Sequence, residues 1–94
     1  MSMDRRERIE NRLRDALAAV HVEVVDESHL HAGHEGARGG GGHFRAVIVS
    51  DRFAGQSAVE RQRMVYEVLA DEMKAEIHAL SMRTFTPDEW SQQD

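Results

Sequence analysis

Apolar residues recur at helical spacing near the start of the chain. Ile9, Leu13, Ala16, Leu17 and Val20 fall on one face, and the opposite face is charged. The pattern predicts an amphipathic helix over residues 4 to 19, with Asp4 at its N-cap. At His21 the period changes. Val22, Val24 and Val25 are β-branched and follow no helical repeat, so residues 21 to 27 read as a strand. From His43 to Ser50 the apolar residues Phe44, Ala46 and Ile48 alternate with Arg45, Val47 and Val49. Both faces are then largely apolar, as suits a central strand. The two strands should form an antiparallel pair across the glycine-rich connection.

After a turn over 51 to 56, Ser57 and Glu60 form a capping-box pattern that opens a second helix. Ala58, Val65, Val68, Leu69 and Met73 are expected on its apolar face. Residues 77 to 84 read as a third strand. It follows a helix, so it should return parallel to the second. Thr86-Pro87-Asp88-Glu89 is another capping box, starting a short helix that carries Trp90. The expected order is αββαβα, an α+β fold with one mixed three-stranded sheet. The 94 residues suit one domain, with residues 1–3 and 92–94 as flexible ends.

Composition narrows the chemistry. The chain has no cysteine, so any metal site made by this chain alone must use His, Asp or Glu. The charged start lacks the apolar core of a secretory signal, and no apolar run is long enough to span a membrane. Both point to a cytoplasmic protein. A net charge of −5 is a poor footprint for a nucleic-acid binder. The arginines of the first segment interleave with acids, which reads as a solvated helix face with i,i+4 pairs. The motifs of phosphate loops, dinucleotide sites and nucleophile elbows are absent, which argues against an enzyme.

The stretch DESHLHAGHEGARGGGGHF, residues 26 to 44, holds four of the six histidines and six of the seven glycines. Its glycines lose too much entropy on ordering for regular structure, so residues 29–42 are expected to form a flexible loop. Neutral imidazole is the commonest metal ligand, and His29, His31 and His34 are candidates. His78 opens the third strand, where alternation would place it on the face of Leu80 and Met82, half-buried. GXXG matches inside the loop join two strands rather than two helices and carry no weight.

The segments VDESHLHAGHEGARGGGGHFR, VSDRFAGQSAVERQRMVYEVLADEM and IHALSMRTFTPDEW, in that order, resemble the BolA family, in particular its branch with a long histidine-containing loop. The resemblance covers roughly residues 8 to 90 and implies a fold similar to class II KH domains. It implies a non-enzymatic partner of monothiol glutaredoxins bearing a CGFS motif. The pair would share a bridging [2Fe–2S] cluster with glutathione, and the isolated apo protein would hold none. His78 matches the family's ligand in its HALS motif. His34 best matches the loop ligand, with His31 and His29 as alternates. Imidazole ligands can be protonated away, which suits transfer or sensing. The resemblance also implies a DNA-binding regulator of stress or morphology genes, with Arg61, Arg63 and Lys74 as candidate duplex contacts. The family's usual R-H-R reads Arg61-Gln62-Arg63 here. The isolated chain would be a monomer or a weak dimer.

Overall fold

The computed structural model describes residues 4–28 and 42–93. The chain runs α1 (Arg5–Ala16), β1 (His21–Asp26), β2 (Gly42–Val49), a 3-10 turn (Asp51–Phe53), α2 (Ala58–Val68), α3 (Ala70–Ala75), β3 (Ile77–Phe85) and α4 (Pro87–Ser91). The sheet order is β1-β2-β3, with β1 antiparallel and β3 parallel to the central β2. The α+β order and mixed sheet expected from the pattern are present.

Local chemistry fixes the helix starts. Asp4, Ser57 and Thr86 each accept a hydrogen bond from the N3 amide while the N3 glutamate reaches back to the cap amide. This satisfies two of the amides that a helix start leaves without an intrahelical partner. The Pro87 ring suits the first helical position, where no amide donor is needed.

The differences from the sequence pattern have physical causes. α1 stops at Ala16 rather than 19, because Ala18 takes a left-handed φ of 48° and turns the chain toward β1. Val20 therefore leaves the apolar face and is exposed. The second helix is two: Leu69 closes α2 and precedes α3, and its buried side chain sits at the joint. Ala58, expected on the inner face, is exposed. β2 starts one residue earlier than expected, at a buried Gly42.

One core fills the space between the sheet and the helices. Ile9, Leu13 and Leu17 from the first helix and its C-cap meet Val22, Val24, Phe44, Ala46 and Ile48 from the sheet; Phe53, Val65, Leu69 and Ile77 complete it. Burying such side chains contributes roughly 1.5–3 kcal/mol each before the opposing chain entropy. α1 is also tied to α3 and its C-cap by the Arg12–Glu72 and Arg8–Glu76 ion pairs. Among the described residues, the opposite sheet face is largely open. It carries Glu23, Val25, Arg45, Val47 and Arg83, which line a shallow cavity of about 170 Å³. Among the described residues, its far end is covered by Trp90 of α4, which stacks on His21 at 5.0 Å and packs against Phe85 at 5.2 Å between ring centres.

Candidate functional site

The chain leaves β1 at Asp26 and re-enters the sheet at Gly42. Both ends of this connection are held by main-chain and hydroxyl contacts. Asp26 accepts from the Ser28 amide, and the Ser28 hydroxyl accepts from the His43 amide at 3.0 Å. The Glu27 amide donates to the His43 carbonyl at 2.7 Å. On the other side, the Gly42 amide donates to the Glu76 carbonyl at 2.9 Å. Gly42 then pairs with Ile77, the residue before His78. A Cβ at position 42 would meet Phe44 at 2.6 Å and the Ser28 hydroxyl at 2.8 Å, so only glycine fits this approach.

The register shifts immediately afterwards. Gly42 opposes Ile77 but His43 opposes Ala79, so one step on β2 spans two residues of β3. Such a bulge breaks strict alternation and re-aims a side chain. His78 is exposed and its ring lies 5.1 Å from that of His43, tilted by 40°. Leu80 and Met82 instead pack against the core. The expectation that His78 shares their face and is half-buried is therefore corrected. Pure period-two counting cannot register an extra residue.

Of the candidate ligands, His78 is placed at the end of the sheet where the β1–β2 connection begins and ends. His29, His31 and His34 lie outside the described residues. His43, not among those candidate ligands, is the histidine the fold places beside His78. Its position two residues before Arg45 on a strand with an apolar inner face could have put it on the open face. Its proximity to His78 depends on the sheet register. Among the described residues no three His, Asp or Glu side chains are grouped so as to hold a metal ion.

The candidate duplex contacts separate into two kinds. Arg61 is turned inward, with its side chain 13% exposed. Its guanidinium donates to both carboxylate oxygens of Glu89, at 2.7 and 3.3 Å, and to the Gln56 and Thr84 carbonyls. It also lies 5.8 Å from the centre of the Phe53 ring. This pairing, together with the Thr86 cap, holds the Glu89 carboxyl down to about 2, well below its ordinary value. Arg63 and Lys74 are exposed. No described helix is long and apolar enough to cross a membrane.

The fold and this histidine-bearing sheet end define a small α+β domain of the BolA type. A family model for BolA-like proteins matches residues 13–89. The DNA-binding transcriptional regulator BolA of Escherichia coli is 47% identical over 85 residues, covering 90% of this chain and 78% of that protein. SufE-like protein 1 of Arabidopsis thaliana is 46% identical over 87 residues, 87% of this chain but 24% of that longer protein. The solved BolA domain of SufE1 from Arabidopsis thaliana superposes with a TM-score of 0.81 at 44% identity, over 95% of this chain and 99% of that one. The chain belongs to the BolA-like family.

Proposed function

We propose that the protein is a non-enzymatic adaptor. It pairs with a monothiol CGFS glutaredoxin and gives nitrogen ligands to a shared [2Fe–2S] cluster, for iron–sulfur assembly or iron sensing. His78 is one ligand and a histidine of the connecting segment is the other, His34 in the first instance, with His31 and His29 as alternates. The observation that carries this reading is the placement of His78: exposed, on a rigid strand, at the point where the histidine-rich connection returns to the sheet.

The donor set fits such a group. A chain without cysteine can offer an iron only nitrogen or oxygen, and two imidazoles on one iron opposite thiolates on the other is a known arrangement for [2Fe–2S] clusters. Two positions from this chain leave the remainder to a partner and glutathione. An exposed His78 can be approached by that partner without opening the core. When bound, the cluster would supply electron-transfer and iron chemistry; this chain's residues hold and orient it.

Titration of the protein into cluster-loaded CGFS glutaredoxin with glutathione tests the reading. Visible absorption and circular dichroism are followed for wild type, His34→Ala and His78→Ala. The expected result is a new spectrum saturating at equal amounts of the two proteins, weakened by His78→Ala and altered by His34→Ala. No spectral change and no complex on size exclusion would overturn it.

A second reading, a DNA-binding regulator, is favoured by relatives so named in Escherichia coli, Vibrio cholerae and Haemophilus influenzae. Exposed Arg63 and Lys74 are then the duplex contacts. Arg61 is engaged with Glu89, and the net charge of −5 opposes the reading. A salt slope near zero, or a Kd weaker than ~10⁻⁴ M at physiological salt, would remove it.

A further inference from the structure

We infer that β3 is an interface strand: two copies of this chain pair edge to edge over residues 79–83, antiparallel about a two-fold axis at Ser81, and form a weak dimer with one continuous sheet. The inference goes beyond the cluster reading, because neither His78 nor the β1–β2 connection takes part.

The free edge carries it. β3 lies outermost in the order β1-β2-β3. The Ser50 amide donates to the Phe85 carbonyl at 2.9 Å, which fixes the parity of the ladder. Main-chain groups along a strand turn alternately to either side. Those of Ala79, Ser81, Arg83 and Phe85 therefore turn to β2, and those of Leu80, Met82 and Thr84 turn outward. The Thr84 carbonyl agrees with this parity, since it accepts from the Arg61 guanidinium at 3.4 Å. That contact closes one end of the edge, and the bulge at His78 closes the other. Between them the outward amides and carbonyls of Leu80 and Met82 have no main-chain partner among the described residues. The usual guards of an edge are missing too, for β3 holds no proline, lysine or acidic residue.

The local sequence selects a second copy as the occupant. Leu80-Ser81-Met82 sets one small residue between two apolar ones, an order symmetric about Ser81, as a two-fold contact requires. With the axis there, Leu80 of each copy opposes Met82 of the other, and each such pair exchanges two main-chain hydrogen bonds. Ser81 meets its own copy as a non-hydrogen-bonded pair, with Cα atoms ~4.5 Å apart, where a small side chain fits. Ala79 opposes Arg83, so no like charges face each other directly. Leu80 and Met82 pack against the core but are only partly buried, so the helices do not close over the edge. A seam this short buries well under ~800 Å² per copy, so the dimer forms only at high concentration.

The test uses the full chain and its lack of cysteine. Sedimentation equilibrium from micromolar to millimolar protein should show the mass rising toward that of a dimer. Under oxidised glutathione, Ser81→Cys should cross-link with itself. Ala79→Cys and Arg83→Cys should each stay monomeric alone and cross-link when mixed. Val59→Cys, exposed on α2, controls for random collision. Ser81→Glu and Ser81→Lys, both at an exposed position, should each weaken dimerisation more than tenfold and restore it when mixed. A chain that stays monomeric at every concentration would leave the edge to an extended peptide and overturn the inference. So would a dimer undiminished by Ser81→Glu, or cross-linking of Ser81→Cys no faster than that of Val59→Cys.

Discussion

Arg61 and Glu89 are paired in two parallel hydrogen bonds, 2.7 and 3.3 Å long, that join α2 to α4. The Thr86 amide donates to the same carboxylate at 2.8 Å. Its folded-state value is thus depressed to about 2 from 4.5. A depressed carboxyl contributes stability that is fully present above the unfolded value and lost as the pH falls toward the folded one. Denaturant midpoints should therefore drop between about pH 4.5 and about 2, and Glu89→Gln should flatten part of that drop. Glu60, lowered by its bonds to Ser57, keeps its own share of the acid dependence in the variant.

Trp90 is the one tryptophan of the chain and sits on His21 and Phe85, so its emission reports the docking of α4. In Arg61→Ala the emission should shift to the red at denaturant concentrations below those that melt far-ultraviolet dichroism. Coincident transitions for the two probes would show that α4 has no such dependence on Arg61.

Arg63 and Lys74 differ from Arg61 in exposure, and substitution should separate their roles. Arg63→Ala and Lys74→Ala should change the unfolding free energy by less than about 0.5 kcal/mol, as surface changes do. Arg61→Ala should lower it clearly, since its charged hydrogen bonds to Glu89 and to the Gln56 and Thr84 carbonyls are lost. Only the first two substitutions can then be read cleanly in a duplex-binding assay.

Gly42 and Gly55 should fail differently when replaced. At Gly42 a methyl group collides with the buried Phe44 ring, an overpacking expected to cost roughly 1–3 kcal/mol. At Gly55 space is open but φ is +76°, so the penalty is conformational. Gly55→Asn should be milder than Gly55→Val, because Asn tolerates the left-handed region. Equal losses for the two substitutions in chemical denaturation would refute that account.

Ser50 is fully buried, yet its hydroxyl donates to the Leu17 carbonyl at 2.6 Å and accepts from the Arg52 amide at 3.1 Å. Ser50→Ala strips both bonds inside the core and should destabilise the fold by about 1–3 kcal/mol. Thermal melts of the variant, with His78→Ala as a surface control expected to melt like wild type, provide the comparison.

Much of this molecule was written in local pattern. Three caps, the change from helical to strand period at His21 and the two-sided apolar character of β2 depend on residues a few positions apart, so they are legible in one dimension. The ordered motifs from the histidine segment to HALS also carried the family. Other features depend on residues that meet only after folding. The inward turn of Arg61 follows from Glu89, 28 residues away. The break at Leu69 follows from the core it fills, and the exposure of Val20 from the left-handed turn at Ala18. Above all, the pairing of His43 with His78 follows from a one-residue shift between strands brought together by packing. Sequence spacing determines which side chains alternate within a strand; the register between strands distant in the chain, shifted between Gly42 and His43, decides which imidazoles become neighbours.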